Sequence, residues 1–176
     1  MESARQLFYQ HGYERTSFAD IVQASGLLRG NIYHYFKSKD EILEAVIDQH
    51  LKDFRGVLEK WDAKKDDPKA NLKAFVEMIV GRKSELVEYG CPVGSLNIEL
   101  AKDRREVQQH AAELFDLFRN WLAENLRKLG KGGEADALAL HLLGRAQGIV
   151  VISQVYRDEK LLNQETKLLR GWIDSL

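Results

Sequence analysis

The stretch from Thr16 to Lys39, TSFADIVQASGLLRGNIYHYFKSK, constrains the chain more than any other, because two short helical patterns meet in it at a glycine. Thr16 or Ser17 can cap the first helix, Asp20 stands three residues after Ser17 as a reciprocal Ser-x-x-acid cap requires, and Phe18, Ile21 and Val22 supply the apolar side. Gly26 ends that helix. Left-handed backbone is cheap only for glycine, so the chain reverses over Ser25, Gly26 and Leu27 before a second helix starts near Leu28. Ile32 and Phe36, four apart, face inward and leave Arg29, Gly30, Asn31, Tyr33 and His34 outside. This is the layout of a helix-turn-helix whose second helix enters the major groove of a duplex.

The next boundary extends the pattern. Ser38 and Glu41 have the spacing of a capping box ahead of Ile42, Leu43, Val46 and Ile47, so a further helix begins at Lys39, whose charge and free N–H groups suit a phosphate. Arg29 has the fork for a guanine edge and Asn31 the amide for adenine, each worth roughly 1–3 kcal/mol of discrimination when bidentate. Gly30 lets the backbone approach the groove, Tyr33 and His34 suit a thymine methyl or a phosphate, and Thr16, Ser17, Tyr35 and Lys39 suit phosphates. Tyr33 and Tyr35 also suit a simpler role, as half-buried aromatics that stabilise a small three-helix head.

Gly12, Tyr13, Thr16, Ser17, Ile21, Ser25, Gly26, Leu27, Gly30, Ile32, Tyr33, Tyr35, Phe36, Lys39 and Ile42 fall at the fixed offsets of one pattern. Through them the chain resembles the TetR family of bacterial transcription regulators, specifically over residues 4–47 and in architecture beyond. The resemblance implies an all-helical homodimer that binds operator DNA and releases it when a small molecule binds, and a repressor is the expected role. Two positions depart from the pattern: Leu28 stands where a small polar residue is usual, which bears on base preference, and Val22 replaces the usual alanine.

Length and composition agree. A chain of 176 residues, 44% hydrophobic, holds a head plus one helical body. No uninterrupted apolar run approaches the ~20 residues that span a bilayer, and the charged, helix-patterned N-terminus has no signal-peptide character, so no membrane partner and a cytoplasmic location are expected. One cysteine excludes an intrachain disulfide framework. With 26 basic and 27 acidic residues the formal charge is −1, so a small number of phosphate contacts and little affinity for random DNA are expected.

An enzyme needs convergent reactive groups. His11, His34, His50, His110 and His141 are scattered, no glycine-rich phosphate loop follows a strand pattern, and no cofactor or metal motif occurs. Glu106 and His110 share a helix face, but that pair alone reads as a solvated contact. The remaining alternative without DNA is a helical protein-interaction module, which leaves Arg29, Asn31 and Tyr33 without a role.

Residues 1–47 form the expected DNA-binding domain and 48–176 the effector-binding and dimerisation domain. Apolar spacing predicts a long helix from Lys39 to Trp61, closed by the polar stretch 64–68, then helices over 69–89, 95–101, 104–129, 135–156 and 163–176, with Cys91 to Gly94 as a turn. The long helix is a rod able to carry a ligand-driven tilt to the head. Phe75, Ile79, Phe115, Phe118 and Trp121 can line a pocket for an apolar or aromatic effector, although the same spacing also suits plain core. Cys91, beside Gly90 at a helix end, offers an electrophile- or oxidant-sensing alternative, against which stands the ordinary role of cysteine as a small hydrophobe. The helix over 135–156 is apolar or small on nearly every side and must be covered on two sides. A symmetry mate supplies the second cover, with Leu143, Gly144, Gly148, Val151, Leu168, Leu169 and Trp172 as the expected dimer interface on a near-palindromic operator.

Overall fold

Ser17 starts the second helix as expected: its Oγ accepts the Asp20 N–H at 3.1 Å while the Asp20 carboxylate accepts the Ser17 N–H at 2.8 Å. Hydrogen bonds to Ser17 hold the Asp20 carboxyl below its usual range. Gly26 closes the helix in left-handed backbone, φ 67°. In the computed structural model, which describes residues 1–64 and 67–176, the helices are α1 (Glu2–His11), α2 (Phe18–Ser25), α3 (Arg29–Tyr35), α4 (Lys39–Lys64), α5 (Pro68–Gly81), α6 (Lys83–Tyr89), α7 (Pro92–Asp103), α8 (Arg105–Lys128), α9 (Ala135–Tyr156) and α10 (Glu159–Ser175). Among the described residues there is no strand, and the chain is all-α with an N-terminal helix-turn-helix head. Of the polar stretch 64–68, Lys65 and Asp66 lie outside the described residues.

Three boundaries differ from the sequence expectation. The helix over 69–89 is two helices, α5 and α6, broken at Arg82 (φ −117°, ψ 18°) directly after Gly81, a glycine that the sequence reading ran the helix through. α7 begins at Pro92 and takes in residues read as a turn; proline fits the first helical position because the N–H it lacks has no partner there. α10 starts at Glu159, capped by the Asp158 carboxylate, which accepts the N–H groups of Lys160 at 2.7 Å and Leu161 at 3.3 Å.

The chain divides into two compact units. The first comprises Met1–Asp53 and Pro92–Leu114. Its apolar centre includes Ala4, Phe8, Tyr13, Ile21, Ile32, Ile42, Leu43 and Ile47, with α1 packed on α2 and α7. The second comprises Phe54–Cys91 and Phe115–Leu176. There α10 packs on α5 and α9, α6 packs on α9, and Leu72, Val76, Leu122, Leu126, Leu142 and Leu162 are buried together. Each such leucine contributes roughly 1.5–3 kcal/mol on burial.

Within the second unit α6 ends at Gly90 with φ 80°, and a Cβ there would lie 2.7 Å from Gln154 Oε1 on α9. Gly90→Ala is therefore expected to lower stability by more than about 1 kcal/mol, through strained backbone and displacement of Gln154. Thermal unfolding checks this, and an unchanged Tm would contradict it.

α9 is 22 residues long and qualifies, by length and composition alone, as a helix able to cross a membrane. Asp136, His141 and Arg145 interrupt it, so the sequence shows no continuous apolar run, and Leu142, Ala146, Ile149 and Val150 are buried in the core of the second unit.

Candidate nucleic-acid interface

Leu28 caps α3 in extended backbone (φ −64°, ψ 136°), and its carbonyl accepts the Asn31 N–H at 2.9 Å. α3 buries Ile32, leaves Tyr33 half-buried and exposes Arg29, Gly30, Asn31, His34 and Tyr35. Tyr33 stacks on Phe18 of α2, with ring centroids 4.5 Å apart and planes 25° from parallel. The Arg29 guanidinium lies 5.2 Å from the Tyr33 ring centroid and donates to its hydroxyl at 3.1 Å. That hydrogen bond raises the guanidinium pKa further above its usual value. Phe18, Tyr33 and Arg29 thus form a short column that orients the fork at the start of α3.

Other expected contacts are engaged within the protein. Lys39 Nζ donates to the Tyr13 carbonyl at 2.8 Å and sits 3.9 Å from the Tyr13 ring centroid. Thr16 is only 2% exposed and donates its hydroxyl to the Gly12 carbonyl at 2.7 Å, so that hydroxyl is not presented outward. Ser17 is exposed, with its hydroxyl on Asp20. Lys37 Nζ donates to the carbonyls of Tyr33 at 2.6 Å and His34 at 3.3 Å. At the head of α4, Ser38 Oγ accepts the Glu41 N–H at 3.1 Å. The Glu41 carboxylate reaches one residue further back than expected, accepting the Lys37 N–H at 2.7 Å.

The sequence reading missed the polar clamp that seats this surface. Glu99 of α7 accepts the backbone N–H groups of Tyr13 at 3.0 Å and Glu14 at 2.8 Å. Arg104, between α7 and α8, pairs with Asp40 at 2.6 Å and Glu14 at 3.5 Å. The Tyr13 hydroxyl donates to Asp40; burial first, then that bond, raises the phenol pKa well beyond the tyrosine range. The only sequence signals were Tyr13 in the motif and the Asp40 beside Lys39, because Glu99 and Arg104 arrive from some 60 to 90 residues away. His110 likewise meets Asp48 at 3.1 Å, and among the described residues no cluster of three or more potential metal ligands occurs.

In the second unit Phe75, Ile79, Phe118 and Trp121 are buried, and Phe115 and Cys91 pack half-buried against the same core. The Phe118 ring lies 5.0 Å from Phe54 and 5.6 Å from Phe75, and Trp61 and Trp121 are 5.5 Å apart. Polar groups border these rings: Trp121 Nε1 donates to Asp62 at 2.9 Å, and the Asn71 amide donates to Asp62 and Asn125, each at 3.0 Å.

The residues expected at a dimer interface separate into two sets. Leu143 and Leu169 are 6% and 2% exposed and belong to the core of their own unit. Gly144, Val151 and Leu168 are exposed, and Gly148 and Trp172 half-exposed. Leu140, Ile152, Val155 and Tyr156, outside the expected interface set, are exposed too. Leu140, Gly144, Gly148, Ile152 and Val155 recur at helical spacing as one outer stripe of α9, and a surface groove along it includes Arg145, paired with Glu165 at 3.2 Å.

An exposed short helix set by a glycine turn on a three-helix head defines a helix-turn-helix DNA-binding protein. Comparison with known proteins carries this to a family. The family model described as "Bacterial regulatory proteins, tetR family" matches residues 1–46, and "Transcriptional regulator LmrA/YxaF-like, C-terminal domain" matches residues 68–167. An uncharacterized HTH-type transcriptional regulator in the lacX 3'region of Lactococcus lactis subsp. lactis is 33% identical over 97% of this chain and 89% of its own length. The HTH-type transcriptional regulator TtgR of Pseudomonas putida is 30% identical over 78% of this chain and 69% of its own. In fold, a TetR family regulator from Agrobacterium tumefaciens superposes with a TM-score of 0.85 at 21% identity, covering 97% of this chain and 93% of that one. The chain belongs to the TetR family of bacterial transcriptional regulators. It is a ligand-responsive DNA-binding regulator, not an enzyme, and this membership sets aside the reading as an interaction module without DNA.

Proposed function

We propose that the protein is a repressor that binds a near-palindromic operator as a homodimer and is released by an apolar or aromatic small molecule. Residues 1–47 serve as the DNA-binding domain and 48–176 as the effector and dimerisation domain, acting in the cytoplasm where operator DNA lies. The observation that carries the reading is the outward set Arg29, Asn31, His34 and Tyr35 on α3, with Arg29 oriented by Tyr33 and Phe18. Arg29 and Asn31 read base edges, Gly30 admits the backbone to the groove, and Ser17, Tyr33, His34 and Tyr35 set register. Thr16 and Lys39 contribute to phosphates only after their present partners give way. The bare outer stripe of α9, with Leu168 and Trp172 of α10, supports a two-copy assembly, since an apolar face of this kind is stable when a like face covers it. The ring cluster around Phe118 and its border of Asp62, Asn71 and Asn125 supports an effector with an aromatic body and a polar edge.

A gel shift against DNA upstream of the protein's own coding region tests the reading, with random duplex as competitor and salt as variable. The expected result is retention against competitor and a shallow dependence on salt, because a chain of formal charge −1 with Arg29, Lys37 and Lys39 around α3 offers few phosphate contacts per subunit. A log–log salt slope approaching about −10, the mark of many phosphate contacts, contradicts it.

A further inference from the structure

Leu28 is the most exposed large apolar side chain among the described residues, at 76%, and it sits at the entrance of the helix that meets DNA. Its neighbour Leu27 lines the cleft of about 460 Å³ between α1 and α3, together with Ile21, Ile32 and Phe36, whereas Leu28 does not. At that exposure Leu28 fills no apolar site among the described residues of the head. The cations beside it have their own contacts: the Arg29 guanidinium lies on Tyr33 and gives one N–H to its hydroxyl, keeping the others for a base, and Lys37 holds the carbonyl end of α3. The foremost side chain of the reading surface thus offers neither charge nor hydrogen bond.

On the base edges of a major groove the one apolar group is the C5 methyl of thymine. We propose that Leu28 reads a thymine methyl in each operator half-site, next to the base contacted by Arg29. The inference rests on operator binding through α3 and deepens it by naming a base. Leu28 stands in extended backbone just before the helix and Arg29 is the first helical residue, so the proposal assigns their contacts to neighbouring base pairs. Specificity at that position then comes from burying a methyl group against an aliphatic side chain and from leaving unburied surface when cytosine, which lacks the methyl, stands there.

The test begins with selection of bound sites from unmethylated random duplexes, which leaves thymine as the sole source of the methyl group. Each thymine of the selected half-site is then replaced by deoxyuridine, which removes the methyl and keeps the pairing. The native protein is expected to lose about fourfold in affinity per half-site at one such position, the worth of one buried methyl. Leu28→Ala is expected to bind the thymine operator more weakly and to be indifferent to uracil at that position. An unchanged melting curve shows that this exposed substitution leaves the fold intact. Selection that enriches no site overturns operator binding and this inference together. An enriched site without a fixed thymine, or one at which the native protein and Leu28→Ala respond equally to uracil, overturns the inference alone.

Discussion

Ile152→Glu with Val155→Glu is expected to yield a folded monomer whose operator affinity falls about 10²- to 10⁴-fold, the range over which joining two binding modules raises apparent affinity. Both side chains are exposed in the protomer, at 49% and 72%, so each carboxylate is solvated in the isolated chain and the fold is not taxed. In the proposed pairing along the outer stripe of α9 the same positions would be covered by the second copy, and buried like charges without partners would exclude association. Sedimentation at micromolar concentration together with operator titration checks both halves. A double variant that stays dimeric places the interface elsewhere. One that turns monomeric but binds the operator undiminished removes the need for two copies.

Arg29→Ala carries the second large effect, a loss of roughly 10- to 100-fold in operator discrimination per half-site, equivalent to about 1–3 kcal/mol for a bidentate guanine contact. The geometry predicts a graded series. Tyr33→Phe keeps the ring on Phe18 and removes only the hydroxyl that Arg29 donates to, so it costs less than Arg29→Ala. Arg29→Lys keeps the charge and loses the planar fork, so it retains binding to random DNA while losing discrimination. Competition titrations with operator and random duplex measure both quantities. Equal losses on the two DNAs for Arg29→Ala would mean that the residue serves only as a charge.

The parts of this molecule that were readable in its sequence are those governed by local chemistry. Ser17 with Asp20, then Gly26, specify a cap and a turn whatever the rest of the chain does, and the inward Ile32 follows from its spacing. Proline and aspartate at helix starts were harder: Pro92 reads as punctuation until its helix is seen, and Asp158 caps a helix whose first turn already carries Leu161 and Leu162, seven residues before Leu168 and Leu169, a repeat that the reading passed over. Periodicity failed on α9 for a different reason. A helix apolar all round carries no record of which face turns inward, so Leu143 was assigned outward and Leu140 and Val155 were overlooked. The Glu99 and Arg104 clamp was invisible because it joins residues distant in sequence, and so were the partners that hold Thr16 and Lys39. The outward face of α3 was legible residue by residue, and the state of the charges around it was not.

The most direct test is a hydroxyl-radical footprint of the native protein on its selected operator, combined with guanine N7 methylation interference. The account predicts two protected segments related by twofold symmetry, centred about one helical turn or a multiple apart, with a methylated N7 in each blocking binding from the major groove. A single protected segment, or binding indifferent to N7 methylation, would contradict it.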